Sequence, residues 1–194
     1  MAILNLIDNL DYSIKSPHST YDGAWKGEGA LDFSVNPSQV GQNHNNGVYT
    51  CFETYHRFPV GGIPTNAVIS QVQHQFYVSV DNTDTNFYYQ LRGSDGATSW
   101  KSSTVADNYQ SYANTYINSI GTKTTTCGAN IITLINNAIA NSDVYINFIG
   151  VSDQFIARSA PTNNEKCSTL SSQKLIVTLE IPPPTPTIML GSFF

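Results

Sequence analysis

Apolar residues recur at every second position along much of this chain, and the longest such run extends from Val68 to Val80. Because successive side chains of a β-strand point to opposite faces, a period of two predicts a half-buried antiparallel strand. One face of the run carries Val68, Ser70, Val72, His74, Phe76, Val78 and Val80, and the other carries Ile69, Gln71, Gln73, Gln75, Tyr77 and Ser79. The pattern predicts a chain built mainly from antiparallel strands.

Shorter segments repeat this alternation between polar turns. The segment from Val48 to Phe58 places Val48, Phe52 and Phe58 on one face and Tyr49, Cys51 and Tyr55 on the other. Further strands are predicted at 31–35, 86–92, 100–105, 144–149, 154–157 and 174–181. The polar stretch 36–47 is predicted to be a loop.

One segment departs from the period of two. Its apolar residues recur at helical spacing and are Ile131, Ile132, Leu134, Ile135, Ala138 and Ile139. They predict an amphipathic helix of about three turns at about 129–142. Short strands with a single helix favour an all-β fold, an antiparallel β-sandwich of jelly-roll type with extended terminal arms. We expect an N-terminal arm at 1–28, a sandwich at 29–181, and a Pro-rich spacer with an apolar tail at 182–194.

Charge is scarce in this composition. Charged residues make up 12% of the chain, about half the usual share, whereas the hydrophobic fraction is 40%. A net charge of −5 without a Lys/Arg cluster argues against a nucleic-acid partner. No apolar run approaches the roughly 18 residues of a membrane span, so none is expected.

The first residues, Met1 to Asp8, lack the basic segment and the uninterrupted apolar core of a secretory signal peptide. We therefore expect synthesis in the cytoplasm and release by a non-classical route such as host lysis. The expected location is a virion or an extracellular assembly.

Candidate chemical sites are few. Cys51, Cys127 and Cys167 have no metal-ligand spacing, so buried or semi-exposed thiols are favoured, with a Cys127–Cys167 disulfide as the alternative. Of the four histidines, His56 and His74 lie on apolar strand faces, which favours hydrogen-bonded core histidines. The loop 81–86 lacks the Gly and distal Glu of a calcium-binding EF-hand and is interpreted as a polar hairpin loop. No nucleophile or phosphate-binding motif is present, so we expect no enzyme, no metal and no cofactor.

A set of turn and strand residues resembles a known family. Arg57-Phe58 precedes Ile63-Pro64, and Ile69, Val72, His74 and Phe76-Tyr77-Val78 follow in a strand. This is similar to the DNRLRE family of β-sandwiches, which carries Arg-Phe-Asp-Leu-Ser-x-Ile-Pro before an Ile-x-x-Ala-x-Leu-x-Leu-Tyr-Val strand. The resemblance covers roughly residues 30 to 181, and it departs where Pro59-Val60 replaces Asp-Leu and His74 replaces a core aliphatic residue. It implies a sandwich module of the kind found on secreted glycan-processing proteins, bacterial surface proteins and phage fibre or tail components.

Aromatic residues suggest one ligand class. Tyr21 and Trp25 lie near Asp22 and Lys26, and aromatic faces with polar neighbours can stack on sugars. The alternative is that the tyrosines cover sheet edges and fill subunit contacts. Tyr21 and Trp25 are thus candidate glycan-binding residues.

The two ends suggest assembly. Pro182 to Thr187 predicts a stiff extended spacer, and it leads into an uncharged apolar tail that would promote aggregation if left in water. Docking of this tail on a neighbouring subunit is favoured, and packing of the tail against its own domain is the alternative. The predicted subunit-binding residues are Ile3, Leu4, Leu6, Ile7, Ile188, Met189, Leu190, Phe193 and Phe194.

These observations favour a non-enzymatic structural protein that binds itself or other structural subunits. The expected role is a bacteriophage virion component, such as a capsid decoration, fibre or tail-associated protein. A carbohydrate-binding module of an extracellular protein is the first alternative, and a subunit of a cell-surface filament is the second.

Overall fold

The computed structural model describes residues 1–9, 12–28, 32–35, 38–83, 86–94, 111–162 and 164–183. Within these ranges the chain forms eleven strands and three helices. The strands are β1 (Ala2–Ile7), β2 (Tyr12–His18), β3 (Asp32–Val35), β4 (Gln39–Asn45), β5 (Val48–Pro59), β6 (Val68–Thr83), β7 (Phe87–Ser94), β8 (Ser111–Ile117), β9 (Gly121–Thr126), β10 (Tyr145–Ser152) and β11 (Asn164–Glu180). The helices are α1 (Tyr21–Trp25), α2 (Asn130–Ala140) and α3 (Asp153–Ile156).

The strands pair antiparallel throughout and form two packed layers. The order in the layer that we call sheet A is β9-β6-β11-β1. In sheet B the order is β8-β7-β10-β5-β2-β3. Strand β4 pairs with β5 on one side and with β11 on the other, and so connects the two sheets.

The main core lies between these sheets. The ring centroid of Phe76 on β6 lies 5.1 Å from that of Tyr89 on β7. Phe58 on β5 packs edge-on against Phe148 on β10 at 5.8 Å. Helix α2 contacts both β6 and β10 and contributes the buried residue Ile131 to this core. The predicted antiparallel β-sandwich with one amphipathic helix is confirmed.

A second, smaller core covers the outer face of sheet B. Helices α1 and α3 pack there against β5 and β10, and the buried residues are Ala24, Trp25, Cys51, Ile149, Val151 and Phe155. Both faces of sheet B are therefore apolar along part of its length, which explains why Cys51 and Phe52 are both buried.

The predicted loop at 36–47 is wrong, because residues 39–45 form β4. A polar residue, Gln42, occupies a buried position in this strand beside Val40 and Gly41, so the strand lacks the expected apolar alternation. Gln42 is fully buried: it accepts a hydrogen bond from the Tyr21 hydroxyl (2.9 Å) and donates one to the Ser159 carbonyl (2.6 Å). Because the oxygen and the nitrogen of its side-chain amide both have hydrogen-bond partners, Gln42 can be buried in a strand.

The predicted strand at 154–157 is also wrong, because this segment belongs to the short helix α3. The Ser152 hydroxyl accepts a hydrogen bond from the backbone N–H of Phe155 at 3.1 Å, which caps the first turn. The predicted strand at 174–181 is part of β11, which begins ten residues earlier, at Asn164.

A β-bulge changes the predicted faces at the start of β6. The register shifts between Thr178 and Leu179 of β11, so Ser70 is an extra residue in β6. Beyond the bulge, Ile69 is buried and Val68 is 57% exposed. The strand itself is confirmed, whereas the predicted faces of its first residues are wrong.

The predicted N-terminal arm at 1–28 is part of the sandwich. Strand β1 pairs with β11 from Ala2 opposite Leu179 to Ile7 opposite Lys174, and β2 pairs with β5. The predicted strand at 100–105 and most of the predicted tail, from residue 184 onward, lie outside the described residues. Among the described residues, no helix has the length and apolar character needed to cross a membrane.

Candidate functional site

Among the described residues, a group of hydrogen-bonded polar and ionisable side chains lies inside the sandwich, on the inner faces of both sheets. Strand β5 contributes Thr54 and His56, and β7 contributes Tyr89. Asp8 follows β1, and its backbone N–H donates to the Gln173 carbonyl at 3.0 Å. We call this group, together with His74, the buried polar network.

His56 is the centre of the network. Its Nδ1 lies 2.6 Å from Asp8 Oδ2, and its Nε2 lies 2.8 Å from Thr54 Oγ1 and 3.0 Å from the Tyr89 hydroxyl. The other oxygen of Asp8 accepts the backbone N–H of Arg57 at 2.9 Å. A carboxylate can only accept, so His56 Nδ1 is the donor of this hydrogen bond when Asp8 is ionised.

A second histidine lies close to this centre. The ring of His74 is 5.8 Å from that of Tyr89, and its Nε2 lies 2.5 Å from Gln173 Oε1. Burial, followed by the neighbouring His56, lowers the pKa of His74 to about 3. His74 is therefore neutral near pH 7, and its Nδ1 and the Gln173 Nε2 have no partner among the described residues.

A carboxylate, an imidazole and a hydroxyl in this order can perform general-base chemistry in an open site. Here the side chains of His56 and Asp8 are 0% and 2% exposed, so a substrate does not reach them. The network joins the end of β1 to β5 and β7, and thus links sheet A to sheet B. The hydrogen bonds of His56 to Asp8, Thr54 and Tyr89 favour one arrangement of the core.

The prediction of hydrogen-bonded core histidines at His56 and His74 is confirmed. Their partners Asp8, Tyr89 and Gln173 were missed. The partners are distant in the sequence and share no spacing with the histidines, so only the strand pairing brings them together.

The two described thiols are buried and free. Cys51 lies in the second core, and Cys127 follows β9. Burial raises the pKa of Cys51 and raises the pKa of Cys127 to about 12. The prediction of free thiols, buried or semi-exposed, is confirmed for these two residues, and because Cys127 is free, the alternative disulfide between Cys127 and Cys167 is not formed.

The predicted glycan platform at Tyr21 and Trp25 is not present. Trp25 is 2% exposed, donates from Nε1 to the Phe155 carbonyl at 2.8 Å, and is covered by the Arg158 guanidinium 3.7 Å from its ring centroid. The Tyr21 hydroxyl is committed to Gln42. Thr20, whose hydroxyl accepts the Gly23 N–H at 3.2 Å, caps α1 and turns both rings toward the protein.

The predicted subunit-binding residues of β1 divide into two sets. Leu6 is buried in the main core and Leu4 packs partly against it, so their side chains serve the fold. Ile3 and Ile7 point the other way and are 68% and 54% exposed. The predicted residues Ile188, Met189, Leu190, Phe193 and Phe194 lie outside the described residues.

Strand β1 pairs with β11 on one side, and no strand of the described ranges pairs with its other side. Ile176 of β11 lies opposite Asn5 and is half-buried between the exposed isoleucines. We call Ile3, Ile7 and Ile176, with the open side of β1, the β1 edge surface.

No group of three or more His, Cys, Asp or Glu side chains is placed to hold a metal ion in the part of the chain that the structure describes. The chain matches no model of a known protein family and no curated protein. The resemblance to DNRLRE sandwiches therefore stays a prediction, and the function is argued from the described surfaces.

Proposed function

We propose that this chain is a non-enzymatic structural subunit that binds neighbouring subunits of a larger assembly, and that the β1 edge surface is one of its contacts. The setting that we propose is a bacteriophage virion, with the chain as a capsid decoration, fibre or tail-associated protein. The resemblance to sandwiches found on phage fibre and tail components supports this setting. The observation that carries the proposal is that β1, within the described ranges, pairs on one side only and exposes two isoleucines.

The open side of β1 supports a contact through the backbone. A strand at the edge of a sheet presents N–H and C=O groups that can pair with a strand of another chain. Leu4 and Leu6 hold β1 in register on β11, so these groups are presented in a fixed geometry. Addition of a neighbouring strand is a known mode of recognition, in which backbone hydrogen bonds supply affinity and side chains supply specificity.

The exposed isoleucines support the same contact through apolar burial. Ile3 and Ile7 are 68% and 54% exposed, and covering each of them stabilises a complex by about 1–2 kcal/mol. Together they supply about 3 kcal/mol, which corresponds to about a hundredfold in dissociation constant. Covering them would also remove an aggregation-prone apolar edge from water.

The test is the oligomeric state of the full chain, measured by size-exclusion chromatography with light scattering over a range of concentrations. The test variant Ile3→Thr/Ile7→Thr keeps β-branched side chains and therefore the strand preference. The matched control is Ile120→Thr/Val144→Thr, because these residues are similarly exposed, at 57% and 58%, and lie away from β1.

We expect the wild type and the control to form oligomers at the same protein concentration. The test variant should need a concentration about a hundredfold higher than the wild type to form the same oligomer. A second variant that ends at Ile181 examines the contribution of the predicted tail, with circular dichroism to show that it stays folded. A wild type that is monomeric at every concentration would contradict self-assembly, and equal assembly of the test variant would exclude the β1 edge surface.

A further inference from the structure

Two exposed tyrosines lie side by side on the outer face of sheet B. Tyr88 of β7 is directly opposite Tyr116 of β8, and their ring centroids are 5.0 Å apart at an angle of 43°. Their exposed fractions are 42% and 44%. Among the described residues, the other exposed aromatic side chains are Tyr77 and Tyr145, which are not in ring contact with another aromatic side chain in any described pair.

The pair is held by polar groups at its rim. The backbone N–H of Tyr88 donates to Asp153 Oδ1 at 2.9 Å, and the Asn86 side-chain amide donates to the Tyr116 hydroxyl at 3.1 Å. Asp153 begins helix α3, whose Phe155 is fully buried in the second core. The backbone of Tyr88 and the hydroxyl of Tyr116 are thus held by hydrogen bonds, while both side chains stay more than 40% exposed.

The side chains of this surface indicate which class of ligand it can bind. Aromatic faces bind apolar C–H surfaces, and amide and carboxylate groups beside them position hydroxyls. A carbohydrate carries both features, because each sugar ring has C–H faces and a rim of hydroxyls. The surface thereby resembles in chemistry the platform that the sequence predicted at Tyr21 and Trp25, but it lies elsewhere in the fold.

The charged groups near the tyrosine pair narrow the choice of ligand further. A nucleic acid also stacks on aromatic rings, but it requires neighbouring cations, whereas the charged group bonded to the backbone of Tyr88 is the carboxylate of Asp153. The cation on the outward face of β7 is Arg92, which donates to Gln90 at 3.0 Å, and near the end of β8 Lys123 donates to Asn118 at 3.1 Å. Both cations are thus engaged by neighbouring amide side chains. An acidic ligand would meet the same carboxylate, so a neutral ligand is favoured.

We propose that Tyr88 and Tyr116 form a binding platform for neutral oligosaccharides, with Asn86 and Asp153 positioning sugar hydroxyls. This activity goes beyond the proposed assembly role. It lies on sheet B, whereas the β1 edge surface lies on sheet A, so either can fail without the other.

The experiment is affinity electrophoresis of the full chain in native gels that contain a soluble β-glucan, α-glucan, mannan or xylan. A gel with alginate serves as the acidic control. The variants are Tyr88→Ala and Tyr116→Ala, with Tyr77→Ala as the matched control because Tyr77 is equally exposed, at 42%, on sheet A. Thermal melting verifies that each variant is folded.

We expect at least one neutral polysaccharide to retard the wild type and the Tyr77→Ala control alike. Each alanine variant of the pair should weaken binding about tenfold or more. The variants Tyr88→Phe and Tyr116→Phe keep the rings and should bind within about threefold of the wild type. The proposal is overturned if no neutral polysaccharide retards the wild type, if alginate alone does so, or if the alanine variants bind like the wild type.

Discussion

His74 makes the stability of this fold depend on pH in a predictable direction. Its ordinary pKa is 6.5, and burial together with His56 lowers the pKa to about 3 in the folded protein. Between these values the unfolded chain binds a proton that the folded chain does not bind, so the free energy of unfolding falls as the pH falls. The contribution of neutral His74 is fully present above pH 6.5 and is lost progressively toward pH 3.

The size of this effect follows from the shift in pKa. Each pH unit inside the window changes the free energy of unfolding by about 1.4 kcal/mol. At about pH 4.5, two units below the unfolded pKa, His74 alone removes about 3 kcal/mol. For a domain of this length that loss lowers the melting temperature by roughly 6–12 °C.

The variant His74→Leu isolates this contribution. It removes the titrating ring and leaves Gln173 Oε1 without its buried donor, a cost that does not change between pH 7 and pH 4.5. Urea unfolding at both pH values gives the loss of stability for each protein, and the variant should lose about 3 kcal/mol less than the wild type. His44→Leu is the control, because His44 stacks on Tyr49 outside the network.

Other acidic and basic groups titrate over the same range, but they do so in the wild type and in the variant. The difference between the two losses is therefore the quantity to compare. If His74→Leu loses as much stability as the wild type on acidification, His74 is not held neutral by its surroundings and the reasoning is refuted.

Two further predictions concern buried positions. Gly150→Ala would place a methyl group against the side chain of Thr54, and we expect a loss of about 1–3 kcal/mol in urea unfolding. Equal stability of this variant would show that the core near Gly150 can expand. Cys51 and Cys127 should not react with a thiol reagent in the native protein, because burial raises the pKa of each thiol. In a Cys167→Ser variant, which leaves only these two thiols, the reagent should therefore modify the protein only when it unfolds. Rapid modification of the native variant would contradict the burial of Cys51 and Cys127.

The sequence predicted the elements that follow a simple period and missed those that depend on distant partners. The long strand from Val68 and the helix at about 129–142 have clear spacing, and both are present. Strand β4 was missed because its buried Gln42 is satisfied by partners far away in the chain. A local signal existed at its end, where Asn46-Gly47 adopts positive φ values and forms a two-residue hairpin turn into β5.

The candidate sites also divide into those with a local sequence signal and those that depend on distant partners. The histidines of the buried polar network were identified from the apolar faces around them, whereas Asp8 and Gln173 could not be assigned to them without the strand register. Trp25 was misjudged because the short helix α1 covers sheet B, and five residues are too few for a helical period to be read. The pair at Tyr88 and Tyr116 was missed because their cross-strand pairing is a property of the register.

The two proposed surfaces lie on different sheets, and this separation leads to a joint prediction. If subunits assemble through the β1 edge surface, each assembly presents several tyrosine platforms at once, and binding to a dense glycan surface becomes multivalent. The wild type should then dissociate about a hundredfold more slowly than Ile3→Thr/Ile7→Thr from a densely coated sensor, and equally fast from a sparsely coated one. Both proteins keep Tyr88 and Tyr116, so a difference on the sparse coating would instead mean that the β1 substitutions disturb the platform. Equal dissociation on both coatings would show that assembly and glycan binding do not act together.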